Sequence, residues 1–364
     1  MIFITNCAEA GWSKMLNIGI TGLNAGDSPA PGVPVVRCLT EHPDWSGKIS
    51  GMVYDALESG GLDRKLVSSV YLLPYPKAGR EALLERISYV HKREALDVII
   101  PNLDAELPNF ISIREELADM GIRMFIPADE QFKRRSKVNL GKLAAEIGIN
   151  TPKTRLVTDS SCIDVRQDEL PAMVKGLFYD AMMAYTLEEV RHHVHKIASM
   201  WGYPVLIQQF IEGEEYNAAL IGDGKGNMMA VAGMKKLVFT DKGKGWACVS
   251  IFNEGLNELA EQVVSALAWP GAMEVEAIKS KKDGKFYLIE LNPRFPAWIY
   301  LAKAAGMNLP HLYLQLALGK EITEKMEYRS GVVFTNYTTN LITDLDRIST
   351  LFTNGEVEYY AKAV

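Results

Sequence analysis

Cysteine is scarce in this chain: Cys7, Cys38, Cys162 and Cys248 are the only four in 364 residues, and no two form a CxxC pair. That spacing excludes a zinc ribbon and a disulfide framework and fits a reducing compartment. Basic charge is not in excess either, since 39 Lys and Arg stand against 45 Asp and Glu for a net charge of −6. A nucleic-acid or anionic-membrane binder would normally be basic, so neither partner is expected. No apolar run reaches the roughly 18 residues that cross a bilayer. The opening MIFITNCAEAGWSK has no basic region followed by a long apolar one, so a secretory signal is not expected and a cytoplasmic location is. The spacings GxGxxG, GxxxxGK[ST] and GxSxG are all missing, which removes the simplest signs of a dinucleotide fold, a P-loop and an esterase elbow. What is present is ordinary globular material, 48% hydrophobic and 23% charged, enough for two or three cores.

The first part alternates apolar runs with amphipathic stretches. LNIGIT at 16–21, VPVVRCL at 33–39, KISGMVY at 48–54 and LDVIIP at 96–101 read as buried strands, with REALLERISYVHK at 80–92 as a helix. That order predicts βαβ units and a parallel sheet. The loop Thr21 to Gly32 follows the first strand, where open α/β sheets place ligands. Asp104 and Glu106 follow the last one and are candidate grips for an amine or second substrate. A basic helix from Gln131 stops at Gly148 ahead of Pro152, marking a boundary near 128–152. Beyond it, strands and Gly-rich hairpin turns around a helix near 187–201 and another at 254–268 predict antiparallel sheets. The fold class expected is therefore α/β plus α+β. The last 40 residues or so show one strand-like run, GVVFTNYTT.

The hairpin Met273 to Pro293 carries the most chemistry. Alternation puts Glu274 and Glu276 on one face, and on the return strand Phe286, Leu288, Glu290 and Asn292 on one face. A two-residue Asp-Gly turn would set Glu276 opposite Leu291. A three-residue loop Lys282–Asp283–Gly284, with Gly284 left-handed, sets Glu276 opposite Glu290 and Glu274 opposite Asn292, and this is the register expected. Carboxylates gathered this way need cations, and oxygen ligands that leave positions for water and phosphate suit Mg²⁺.

FYLIELNPRFPAWIYLAKAAGMNLPHLYLQLALGK, preceded by GAMEVEAI, resembles the metal-binding end of the ATP-grasp superfamily, in its carbamoyl-phosphate synthase large-subunit branch. The similarity extends over most of 130–320. It implies an N-terminal Rossmann-like parallel α/β domain (1–128), then an ATP-grasp fold whose two α+β subdomains (129–205 and 206–325) clamp ATP, and a C-terminal extension (326–364). It further implies that Glu276, Glu290 and Asn292 hold one or two Mg²⁺, with Mn²⁺ as a substitute, and that Arg294 stabilises the transferring phosphoryl. Lys137 and Lys175 match the phosphate grips. Gln208, Gln209, Ile211 and Glu215 match the adenosine hinge, although relatives more often carry Glu where Gln208 stands. After Lys175 the glycine-rich lid of many relatives is replaced by GLFYDAMMAYT, and TDKGKGWA at 240–247, with Lys242 and Lys244, is the expected substitute. Lys235 and Lys236 are candidates for the γ-phosphate, of which alternation lets one point inward. The resemblance implies an ATP-dependent carboxylate–amine ligase acting through an acyl phosphate on small-molecule substrates. The alternatives are phosphorylation of bicarbonate or carbamate, and an ATP-binding protein whose chemistry has lapsed. A homodimer paired through the C-terminal strand is the assembly considered.

Overall fold

A computed structural model describes residues 15–26, 29–177, 180–240, 243, 245–322 and 327–359. They form two compact units, and the chain passes between them more than once. One unit takes the residues up to Ile126, Val238–Ala247 and those from Arg294 onward; the other takes Pro127–Leu237 and Cys248–Pro293.

The first unit is built on the parallel strands β1 (Leu16–Thr21), β2 (Gly47–Val53), β3 (Ser69–Leu72) and β4 (Val98–Ile100), in the spatial order β3-β2-β1-β4. Ile18, Ile20, Val98 and Ile99 are fully buried, as expected of parallel strands covered on both faces. The run VPVVRCL is not a strand. It lies in the helix Gly32–Thr40, where Val35, Val36, Cys38 and Leu39 make one buried stripe and Pro34 sits in the first turn. Gly32 opens that helix because a Cβ there would lie 2.3 Å from the carbonyl oxygen of Thr21.

The second unit holds two antiparallel sheets. The smaller has β5 (Thr154–Val157), β6 (Ala172–Lys175), β7 (Ala181–Ala184) and β8 (Val205–Gln209), in the order β5-β8-β6-β7. The helix Leu187–Trp201 covers it with Val190, Val194 and Ile197, and Thr186 caps that helix by accepting from the Glu189 N–H. The larger sheet runs β13-β12-β9-β10-β11, from β9 (Gly213–Asp223), β10 (Met228–Phe239), β11 (Gly245–Ile251), β12 (Pro270–Ser280) and β13 (Phe286–Asn292). Leu256, Leu259, Val263 and Leu267 of the helix Glu254–Leu267 pack under it with Met273, Val275, Leu288 and Leu291. One face of the central strands is thus committed to the core, leaving the other for chemistry.

The residues after Pro293 return to the first unit. Helices Ile299–Ala305 and Leu309–Ala317 pack on Gly32–Thr40, where Asn308 donates to the Cys38 carbonyl (2.8 Å) and Arg37 stacks 3.8 Å over Tyr300. The short strand β14 (Val333–Thr335) follows, and Asn336 N–H donates to Trp246 O (2.9 Å). Finally β15 (Glu356–Glu358) joins β3 antiparallel, held by Arg93 to Glu358 (2.7 Å) and by Arg86 to the Gly355 carbonyl (2.6 Å). The compact units divide the chain at Pro293–Arg294. Among the described residues no helix is long and apolar enough to cross a membrane.

Candidate active site

The β12–β13 hairpin sets the site. Its register is Glu274 opposite Asn292 and Glu276 opposite Glu290, but the loop is not the expected one. Ser280 N–H donates to Lys285 O (2.9 Å) and Gly284 N–H to Ser280 O (2.9 Å), so Lys281–Gly284 form a four-residue turn, with Gly284 left-handed at φ +70°. Continued without a break, that ladder would set Glu276 opposite Ile289. A bulge between the pairs Ala277–Leu288 and Glu276–Glu290 makes Ile289 the extra residue and restores the acid pairing. Leu288 accordingly shares the core face with Leu291, each almost wholly buried, rather than the face of Glu290 and Asn292. Leucines three apart on one face are incompatible with strict alternation, and the bulge reconciles them.

On the opposite face Asn217 of β9 lies across from Glu276 and completes a polar cluster. Glu274, Asn292 and Asn217 are 4%, 4% and 2% exposed. Glu274 accepts from Asn217 (2.9 Å) and from Asn292 (3.0 Å), and Asn292 also donates to Glu276 (2.9 Å). Burial, with the negative charges of Glu274 and Glu290 beside it, pushes the Glu276 carboxyl up to about 8, while Lys236 pulls it back. Three lysines oppose these acids. Lys236, paired with Glu215 at 2.7 Å, is raised overall because Glu276 and Glu215 outweigh its burial. Lys137 lies 3.2 Å from Glu290. Lys175, at the end of β6, is lowered by burial and by Lys137, against the upward pull of Glu290 and Glu276.

Several expected residues stand elsewhere. Lys235 points to the other face of β10, 2.8 Å from Glu214 and over the Tyr216 ring, and does not join the cluster. Gln208 is 6% exposed and donates to Thr154 Oγ1 (3.0 Å), whereas Gln209 is exposed and accepts from the Lys153 N–H (3.3 Å), so the two face opposite ways. Ile211 is buried and Glu215 is held by Lys236. Lys242 and Lys244 lie outside the described residues. Arg294 belongs to the first unit, where its Nε lies 2.9 Å from Asp104. In the same unit Glu106 corrects the expectation of a substrate grip. It is 1% exposed and accepts from Thr21 Oγ1, the Tyr54 hydroxyl (2.6 Å) and the N–H groups of Asn102 (2.8 Å) and Leu103 (2.9 Å), with its carboxyl raised to about 7 by burial despite those donors. Its acceptor sites are taken by the protein itself. Asn217 was not anticipated; the signal for it was a lone carboxamide in the otherwise apolar YNAALIG strand.

The donor set suits a hard divalent cation. Glu276 and Glu290 face each other across the hairpin and share excess negative charge, and the Asn292 amide, donating through Nδ2 to two carboxylates, turns its oxygen away from both. Among the described residues no group of three or more His, Cys, Asp and Glu is placed to hold a metal ion, so a cation here would rest on fewer protein acids. Two carboxylates and an amide oxygen leave most coordination positions to water or phosphate, as Mg²⁺ prefers.

Residues 203–340 match a family model described as ATP-grasp in the biosynthetic pathway with Ter operon. The chain is 24% identical over 241 residues to the carbamoyl phosphate synthase large chain of Thermoanaerobacter sp., covering 61% of this chain and 22% of that protein. It thus spans about a fifth of that relative's length. A carbamoyl-phosphate synthase of Methanobrevibacter smithii is 24% identical over 257 residues, covering 64% of this chain and 68% of that one. Among solved structures, a biotin carboxylase–β,γ-ATP complex from Campylobacter jejuni superposes with TM-score 0.68 at 15% identity over 86% of this chain and 74% of that one. The L-amino acid ligase from Bacillus licheniformis gives 0.63 at 17% identity over 83% and 74%. Residues 203–340 thus match an ATP-grasp model, the chain has carbamoyl-phosphate synthase large-chain relatives, and its mixed α/β fold is similar to that of ATP-grasp structures.

Proposed function

We propose that this ATP-grasp chain is an ATP-dependent carboxylate–amine ligase that forms an amide through an acyl phosphate. The observation that carries the reading is the facing pair Glu276 and Glu290, with Asn292 beside them, set against Lys137, Lys175 and Lys236. A substrate carboxylate oxygen attacks the γ-phosphorus and ADP leaves. The amine nitrogen then attacks the acyl carbon, phosphate leaves, and the nitrogen gives up its proton. Mg²⁺ held by Glu276, Glu290 and Asn292 would neutralise charge on the phosphates. Lys137 and Lys175 would bind the α- and β-phosphates as point charges. Lys236, not Lys235, would face the γ-phosphate. Gln208, Ile211 and Glu215 would hold adenine and ribose, and Arg294 keeps its proposed role in stabilising the phosphoryl group on its place in the chain, two residues after Asn292.

The test is ADP and phosphate release with Mg²⁺ across paired amino acids and short carboxylates. Release that needs both a carboxylate and an amine supports the reading, and AMP with pyrophosphate sinks it. The synthase homologues favour a second reading, phosphorylation of bicarbonate or carbamate. ADP release that needs bicarbonate and no other carboxylate would select it.

A further inference from the structure

We infer that Glu274 is a positioning residue: with Asn217 behind it, its carboxylate fixes the Asn292 amide so that Oδ1 is presented to the divalent cation. This rests on the cation site proposed above and adds a residue that does not itself touch the ion. Asn292 has one oxygen and one NH₂, and an amide can ordinarily exchange them by a half-turn. Here its NH₂ lies between two carboxylates, 3.0 Å from Glu274 and 2.9 Å from Glu276. The flipped amide would aim its oxygen at both acids, which is repulsive, so one orientation survives. If Glu276 turns its oxygens toward a bound ion, Glu274 remains as the partner holding that orientation. Glu274 is itself fixed from the other side by Asn217 (2.9 Å), in a setting where all three side chains are at least nine-tenths buried. Partners of this kind orient metal ligands, and their loss costs metal affinity about tenfold or more while leaving the ligands in place.

Glu274→Gln keeps shape and volume but replaces one acceptor by a donor, so Glu274 can no longer accept from both amides. The probe is Mn²⁺, followed by electron paramagnetic resonance with a non-hydrolysable ATP analogue, alongside analogue affinity without metal and the melting temperature. The expected result is Mn²⁺ affinity about tenfold weaker, metal-free nucleotide affinity within twofold of the parent, and a cooperative melt. Asn217→Ala, which loosens Glu274 without touching Asn292, should weaken Mn²⁺ in the same direction by a smaller factor, and it decides the matter if Glu274→Gln does not fold. Unchanged Mn²⁺ affinity in a folded variant overturns the inference, as does a parallel loss of metal and metal-free nucleotide binding. A parent protein that binds nucleotide but no Mn²⁺ would instead remove the cation site, and this role with it.

Discussion

Two glutamates, one in each unit, are both driven toward neutral pH by burial, yet their surroundings differ in kind. Glu106, raised to about 7, meets only neutral donors, from Thr21, Tyr54, Asn102 and Leu103. It ties the ends of β1 and β4 to the residue just after β2. Glu276 is raised to about 8 by burial and by the charges of Glu274, Glu290 and Glu215, and is balanced by the Asn292 amide and by Lys236. The first arrangement is self-sufficient. The second sets several carboxylates against Lys137, Lys175 and Lys236, the arrangement proposed above to take a cation rather than to tie strands together.

That contrast can be broken most sharply at Glu276. Glu276→Gln should reduce Mg-ATP turnover by about 10²–10³-fold, the scale of losing a main electrostatic stabiliser, with the urea midpoint unchanged or higher because like charges are relieved. A variant that kept its turnover would erase the distinction. Glu106→Gln should behave oppositely: a stability loss of about 2 kcal/mol, since the donors from Thr21, Asn102 and Leu103 lose a charged acceptor and the new NH₂ meets only the Tyr54 hydroxyl, with nucleotide and Mn²⁺ affinity preserved. Its pH dependence is also defined. The folded carboxyl, at about 7, holds a proton that the unfolded one releases near 4.5, so stability from this group is fully present below about 4.5 and declines as pH rises through 7. Urea titrations across that range should show the slope in the parent and lose it in Glu106→Gln. Next in size, Lys236→Ala should raise KM for ATP roughly tenfold, the price of one charge-assisted contact of about 1.4 kcal/mol, while Lys235→Ala, on the other face, should stay within twofold. The smallest change is Tyr54→Phe, which removes one of four donors to Glu106 and should cost about 1 kcal/mol in urea unfolding without altering turnover.

The sequence was most informative where chemistry is local. Acids at 276 and 290 followed by Asn-Pro-Arg pointed to the hairpin and its pairing, and continuous apolar runs pointed to the parallel strands. The pairing came with the wrong loop, because turn length and bulge can compensate and only Leu288 and Leu291, three apart yet both core, distinguish the two. VPVVRCL misled because a short apolar run has no visible period, and its helix is settled by Gly32 meeting the Thr21 carbonyl. Glu106 looked like a free acid because its partners Thr21 and Tyr54 lie far away in sequence. For the same reason the return of 294–359 to the first unit could not be read from the chain.

That return has a bearing on biosynthesis. β3 acquires its outer neighbour only when Glu356–Glu358 has been made, and at ribosomal rates of about 5–20 residues per second that is on the order of tens of seconds after β3 itself. Throughout that interval the β3 backbone is a vacant template for any passing strand, and Arg93 waits for an acid that has not yet been translated. The nascent protein is therefore most exposed to mispairing while residues 127–293 are being synthesised, and chaperone demand should peak before Glu356–Glu358 leaves the ribosome.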